Sequence, residues 1–252
     1  QRLDELTDKL ASNSFRIRKV DCLDLPDKVY TRREVELTSD QKHAYKQMSQ
    51  LALALLQEGK LSSTKNALTQ IMRLQQICLG HITDDEGVVH ELKSNRMKEL
   101  LEVIEELQGK VIIWATWTRD IRSIASALQD RYGIETVARL HGETPENERQ
   151  GIVESFQDTD SNLRFLVGHP RTGGHGLTLT AASFCIYYSN SYDLELRVQS
   201  EDRVHRIGQL NKVTYVDLIS SGTVDEKIVK SLRAKINVAD TILGEEIRQW
   251  LL

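Results

Sequence analysis

"VIIWATWTRDIRSIASALQDRYGIETVARLHGETPENERQGIVESF", residues 111–156, passes twice from a short β-branched run to a longer stretch of helical period. "VIIWA" (111–115) reads as a strand, "RDIRSIASALQDRY" (119–132) as a helix, "ETVARL" (135–140) as a strand, and "PENERQGIVESFQD" (145–158) as a helix opened by Pro145. The alternation continues through "RFLVGH" (164–169), a glycine-rich turn leading into a short helix, "FCIYYS" (184–189), a helix over 197–209, "VTYVDLI" (213–219) and "VDEKIVKSLRAKIN" (224–237). Strand–helix alternation over more than a hundred residues predicts an α/β fold, a parallel sheet with helices on both faces.

Upstream the texture differs. The first ninety residues hold little that reads as strand. They carry helical patterns at 39–59, with Ser39 as cap and Gly59 as stop, and at 63–80, with a third at 92–109. "HITDDEGVVHE" reads as a polar connection between the second and third.

In open parallel sheets, ligands sit at the carboxyl ends of the strands. Those ends here are "ATWT" (115–118), "HGET" (141–144), "HPRTGGHG" (169–176) and "NSYD" (190–193). "RVQSEDRVHRIGQ" (197–209) follows the last of them. At about 100° per residue, a helix here puts Gln199, Arg203 and Arg206 on one narrow stripe. Guanidinium forks suit an anion with several oxygens. The plain alternative is a solvated face on which Asp202 and Arg206 pair at i,i+4 for about 0.3–0.5 kcal/mol. Trp114 reads as core, Trp117 as core or contact, and His169 and His175 as loop packing, while His141 closes a strand at the predicted ligand edge. Asp225, Glu226 and Lys227 read as surface charges near a helix start.

Absences narrow the chemistry. There is no GxxxxGK[ST] loop, no DExH string after a hydrophobic strand and no GxGxxG fingerprint. The chain could lend arginines to a nucleotide but lacks the parts that grip triphosphate and metal, as expected of half a composite site. Cys22, Cys78 and Cys185 are far apart with no metal-ligand spacing, which favours a reducing compartment. No apolar run approaches membrane-spanning length, and the chain opens on Gln, so it reads as a piece of something longer. The net charge of −4 leaves any DNA contact to local patches, such as "RIRK" (16–19) and "RR" (32–33).

These motifs together resemble a known family. "QSEDRVHRIGQ" is similar to the sixth motif of the Swi/Snf-type, superfamily-two helicase-like ATPases, with Gln199, Arg203 and Arg206 in its Q-x3-R-x2-R positions. "VIIWATWT" resembles the fourth motif, "LHGETPENERQGIVESF" the segment after it, and "FLVGHPRTGGHGLTLTAAS" the fifth. "FRIRKVDCLDLPDKVYTRREVELTSDQKHAY" resembles the stretch joining the two lobes of such motors. The resemblance runs from about residue 10 to 252 and is nearest in flavour to bacterial and phage members. It implies a RecA-like second lobe with a helical insertion: a connecting segment (1–33), a helical protrusion (34–92), the lobe (93–222) and closing bracing helices (223–252).

By that resemblance Arg203 and Arg206 are arginine fingers toward ATP and Mg2+ held mainly by an absent first lobe, with Gly174, Gly176 and Gln199 lining the same cleft. Thr116, Trp117, His141, Gly142, Arg171 and Thr172 fall to the DNA backbone. The family's Trp-Asn-Pro is replaced by "SYDL", where Tyr192 stands in as the aromatic. The implied partners are double-stranded DNA and the first lobe, with no membrane, in the cytoplasm of a bacterium or phage-infected host. The isolated chain would be inactive. Two other readings stand beside this one: a nucleic-acid-binding module without ATPase activity, and the nucleotide-sugar-binding half of a transferase.

Overall fold

The computed structural model describes residues 23–58, 64–84, 86–172 and 177–234. Six strands form one all-parallel sheet: β1 (Lys28–Glu34), β4 (Lys110–Trp114), β5 (Val137–Leu140), β6 (Phe165–Gly168), β7 (Ala182–Tyr187) and β8 (Val213–Ile219). Their spatial order is β1-β8-β7-β4-β6-β5. The expected α/β class and parallel sheet are therefore present, with the four apolar runs from 111 to 219 on its inner strands and β5 on one edge.

The strands bury both faces, and the two-residue period sorts their side chains. Val111, Ile113 and Ala115 face one layer, where helix α3 (Arg96–Glu106) supplies Leu100, Val103 and Ile104 and helix α4 (Thr118–Tyr132) supplies Ile121, Ile124 and Leu128. Ile112 and Trp114 face the other, with Val153 and Phe156 of helix α5 (Glu146–Gln157) and with Leu179 and Val204. Alternation of this kind on a fully covered sheet is what continuous apolar strands require. Gly168 sits where β5 and β6 run closest. A Cβ there would stand 2.5 Å from the Leu140 carbonyl oxygen and 3.2 Å from the Trp114 ring.

A second apolar cluster joins helix α1 (Ser39–Gln57), helix α2 (Thr64–Leu79) and helix α7 (Val224–Arg233). Tyr45, Ile71, Leu74 and Ile77 pack there against Val224, Ile228 and Leu232. Helices α1 and α2 are thus packed against α7, with Gln75 of α2 donating to the Asn190 carbonyl at 2.8 Å.

Several expectations are corrected. Residues 28–34 are a strand of the main sheet, paired along their whole length with β8. Their mostly polar sequence, KVYTRRE, hides the signal, since an edge strand buries only part of its surface. The polar connection at 81–91 is a small antiparallel hairpin of β2 (His81–Thr83) and β3 (Val89–Glu91). Helix α1 is capped by Thr38 rather than Ser39, with Gln41 completing the capping box. No helix forms over residues 177–181. The predicted helix over 197–209 is α6 (Leu194–Asp202), which begins three residues earlier and stops at Asp202. Beyond it the next two carbonyls serve other donors. Leu179 N–H donates to the Arg203 oxygen at 2.9 Å, and the Gln209 amide donates to the Val204 oxygen at 3.2 Å.

Asp225 is not a surface charge. It is 1% exposed and paired with the fully buried Arg96. Arg96 also donates to the carbonyls of Tyr188 (2.5 Å) and Leu218 (3.3 Å) and to Ser220 Oγ (3.1 Å). Glu226 accepts from the Gly222 N–H at 2.8 Å, closing the start of α7. Cys78 and Cys185 are buried free thiols, burial pushing the Cys78 thiol up to about 12; Cys22 lies outside the described residues. No helix among the described residues is long and apolar enough to cross a membrane.

Candidate nucleotide and nucleic-acid site

Parallel pairing aligns the strand ends. Leu140 and Trp114 both register with Gly168, and Trp114 with Tyr187, so the loops beginning at His141, His169, Ala115 and Tyr188 leave the same edge side by side. The chain leaves β4 toward β5 and leaves β7 toward β8 on the opposite side, which makes the β4/β7 gap the switch point of this sheet. Thr116 and Ser189 meet there. The Thr116 N–H donates to Ser189 Oγ at 2.9 Å, and the two hydroxyls are 2.8 Å apart.

His169 accepts from the Arg171 N–H through Nδ1 at 2.9 Å, and its carbonyl accepts from the Thr172 N–H at 2.9 Å. Burial holds its pKa below the usual histidine value, partly offset by a hydrogen bond to the Thr116 backbone. The Arg171 side chain is exposed, 4.0 Å from Asp193. His141 is 6% exposed and its Nδ1 has no hydrogen-bond partner. Burial lowers its pKa, against a raising effect of Glu143 at 3.9 Å. Gly142 is exposed, and Arg149 reaches its carbonyl at 3.4 Å. Thr116, His141, Gly142, Arg171 and Thr172 therefore share one edge.

The aromatic residues do not join them as bare contacts. Trp117 is half-buried against the first-face core, with His81 edge-on at 5.8 Å. Tyr192 packs against the helical cluster.

The arginine stripe is broken by the end of α6. Gln199 is exposed and donates to Glu195 at 2.8 Å. Arg203 instead turns inward, 8% exposed, with its guanidinium 5.9 Å from the Trp114 ring. Its Nη1 has no hydrogen-bond partner, nor has the nearby Trp114 Nε1, and burial lowers its pKa. Among the described residues, no ion pair joins Arg203 to a carboxylate. Arg206 is half-buried and donates to the Leu177 carbonyl at 3.3 Å. Asp202 lies 3.8 Å from Lys28. Gly174, Gly176 and His175 lie outside the described residues.

Two residues of the quoted motif carry structure that spacing alone did not show. Arg197 is 6% exposed and pairs with Asp217 at 2.6 Å and with Glu201 at 2.8 Å. Gln209 bonds three carbonyls, those of Thr180, Ala182 and Val204, at 3.1, 3.0 and 3.2 Å. The available signal was the i,i+4 spacing of Arg197 and Glu201.

A parallel sheet in this order, covered by helices, has the architecture of a RecA-like helicase lobe, and residues 93–208 match the model of the helicase conserved C-terminal domain. The individual likenesses narrow this further. The Sulfolobus solfataricus SWI2/SNF2 ATPase core in complex with dsDNA is 27% identical, with a TM-score of 0.68, over 96% of this chain and 53% of that one. Protein CHROMATIN REMODELING 19 of Arabidopsis thaliana is 33% identical over 159 residues, 63% of this chain and 20% of that protein. The putative ATP-dependent helicase/translocase YwqA of Bacillus subtilis (strain 168) is 27% identical over 241 residues, 91% of this chain and 25% of that protein. The chain belongs to the Swi2/Snf2 group of superfamily-two helicase-like ATPases and is its C-terminal lobe. Relatives from plant, bacterium and archaeon give no ground for narrowing it to bacterial or phage members, or to their cytoplasm. The chain spans about a fifth to a quarter of the length of these curated relatives.

Proposed function

We propose that the chain is the second lobe of an ATP-dependent motor that moves along double-stranded DNA. Arg203 and Arg206 serve in trans on ATP and Mg2+ held mainly by a first lobe, with Gly174, Gly176 and Gln199 beside them. The observation that carries this is Arg203: a guanidinium 8% exposed, with a donor unsatisfied and no carboxylate paired to it among the described residues. A buried charge without a counter-ion is costly. It is best explained by an anion that arrives from outside, and the donors present fit the oxygens of a phosphate chain. When bound, ATP supplies the phosphoryl group whose transfer to water releases energy. This chain's part is to place positive charge where negative charge develops, which the two arginines do without taking up or giving a proton.

Thr116, Trp117, His141, Gly142, Arg171 and Thr172 meet the DNA backbone, with Tyr192 bracing their edge from the helical side. Hydroxyls, backbone N–H groups and an exposed arginine at loop tips bind phosphate oxygens and read no sequence. Residues 1–27 connect the lobes and lead into β1, which belongs to the lobe's sheet; 35–92 form the protrusion, 93–222 the rest of the lobe and 223–252 the brace. Alternate closing and opening of the interlobe cleft, coupled to alternate grip on the backbone, gives translocation.

The test is ATP turnover with and without duplex DNA, for this chain alone, for the chain joined to its first lobe, and for the joined form carrying Arg206→Ala. The expected results are silence, DNA-stimulated turnover, and a loss of at least about 10²-fold from the substitution. A joined protein that binds DNA but hydrolyses no ATP would leave a nucleic-acid-binding module. Normal turnover by Arg206→Ala would remove the arginine assignment.

A further inference from the structure

Helix α6 buries a single hydrocarbon side chain, Leu196; its other buried residues are Arg197, Ser200 and Glu201. The helix that leads into Arg203 is therefore held to the sheet mainly by directional polar bonds, which fix its rotation about its own axis as well as its distance. Tyr187 Oη and Ser200 Oγ are 2.7 Å apart. Tyr215 donates to the Glu201 carbonyl at 3.1 Å. The Glu201 carboxylate accepts from Tyr30 at 2.6 Å and from Lys28 at 3.0 Å.

Arg197 is the centre of this arrangement. Its guanidinium carbon lies over Tyr187, 3.6 Å from the ring centroid. It donates to Asp217 Oδ1 at 2.6 Å, to Asn190 Oδ1 at 2.6 Å and to Glu201 Oε1 at 2.8 Å. Asp217, fully buried on β8, is shared: its Oδ2 also accepts from Arg233 at 2.9 Å, and its Oδ1 from Asn190 Nδ2 at 3.0 Å. Arg233 ends α7, whose Val224, Ile228 and Leu232 lie in the cluster with the protrusion helices.

We infer that Arg197 and Asp217 are positioning residues for Arg203, and that Arg233 links the same carboxylate to α7 and the helical protrusion. This rests on the reading of Arg203 as a phosphate-facing arginine. Arg203 is the first residue beyond α6, its carbonyl fixed by Leu179, so a rotation of α6 about its axis carries its guanidinium sideways. A displacement of about 1 Å at a catalytic group can lower turnover by about 10².

Arg197→Met keeps an unbranched chain over Tyr187 and leaves Asp217 with Arg233 and Asn190, so no buried carboxylate is stranded. The experiment uses the full-length protein with both lobes and compares Arg197→Met, Arg203→Ala and the double variant. The readouts are kcat and KM for DNA-stimulated ATP hydrolysis, duplex affinity and Tm. Arg197→Met lowers kcat by about tenfold or more, with KM and duplex affinity within about twofold, the pattern of an interaction realised in the transition state. Arg203→Ala, damaging alone, lowers kcat by no more than about threefold further in the Arg197→Met background, because groups acting as a unit are not additive. Arg197→Lys, which keeps a charged contact to Asp217, recovers part of the loss.

If the two losses multiply in the double variant, or Arg197→Met leaves kcat within about twofold, Arg197 does not act through Arg203 and the inference is overturned. If Arg203→Ala alone leaves turnover unchanged, the reading of Arg203 falls and this inference with it. Should Arg197→Met fail to fold, Arg233→Met, altering a half-exposed side chain on the same carboxylate, is scored the same way. It lowers kcat less, by about threefold, and is equally non-additive with Arg203→Ala; additivity there overturns the inference.

Discussion

Asp225→Ala is the substitution that most directly tests how α7 is held to α3 and the sheet. Asp225 is 1% exposed and Arg96 fully buried, so removing the carboxylate strands a guanidinium that water does not reach. Arg96 would keep the Tyr188 and Leu218 carbonyls and Ser220 Oγ as acceptors, but no negative charge. Asp225 also accepts from the Ser220 N–H at 3.2 Å, which loses its acceptor with it, and from Gln75 at 3.5 Å, which keeps the Asn190 carbonyl at 2.8 Å. Breaking one side of a buried pair costs about 3–5 kcal/mol. For a domain of this size that is a fall in Tm of about 6–20 °C, measured by calorimetry or urea unfolding followed by circular dichroism. Asp225→Asn, which keeps an acceptor but no charge, falls between parent and Asp225→Ala. The paired replacement Arg96→Met with Asp225→Leu returns most of the loss, since well-packed hydrocarbon can replace a buried ion pair at little net change. A loss below about 1 kcal/mol for Asp225→Ala would show that the pair is solvated, and the account of this junction would be wrong.

The buried pair of His81 and Asp120, 3.7 Å apart, gives a pH signature. Burial pushes Asp120 up to about 7 and His81 down to about 4. Asp120, raised above its unfolded value, contributes stability that is full below about pH 4 and lost as pH rises through 7; His81, lowered, contributes stability lost as pH falls from about 6.5 toward 4. The slopes oppose each other between about pH 4 and 6.5, so Asp120→Asn makes stability rise with pH across that window and gains at most about 4 kcal/mol above pH 7. Unfolding curves at pH 5, 6.5 and 8 measure this, and a pH-independent effect of Asp120→Asn refutes it. Gly168→Ala, whose methyl would meet a β5 carbonyl at 2.5 Å, lowers stability by about 1–3 kcal/mol, and an unchanged urea midpoint would contradict the close approach. Arg171→Ala weakens duplex binding uniformly across sequences and reduces the salt slope by about one; an unaltered slope in a salt titration removes Arg171 from the interface.

The lobe was legible because its inner strands are buried on both faces and so are written as unbroken β-branched runs. Residues 213–219 match the observed strand end to end, and 111–115 is displaced by one residue from the observed 110–114. Strand β1 was not legible, because an edge strand with Lys28, Arg32 and Arg33 in it needs no apolar run, and its partner lies on the far side of the sequence. The carboxyl edge of the sheet was legible: the loops at His141, His169 and Thr116 follow adjacent strands, which pairing puts side by side. Helical spacing ran past the end of α6: Gln199 stays exposed on the helix while Arg203, the residue after the helix, is buried beside Trp114, a difference that spacing does not carry. Asp225 and Arg197 were misread or passed over for one reason. Single positions do not reveal a charge whose partner is more than a hundred residues away, or on a strand not yet placed.

Strand β1 also sets an order of events. Lys28 pairs with Val213 and Glu34 with Ile219, so roughly 185 residues separate the two halves of this ladder. On a ribosome adding about 5–20 residues per second, the first strand waits on the order of 10–40 s for the last before it has a partner. A strand that must stand alone that long needs to resist other strands. Its sequence, KVYTRRE, carries three cations and one anion in seven residues, a composition that keeps it in water until the sheet it closes has been made.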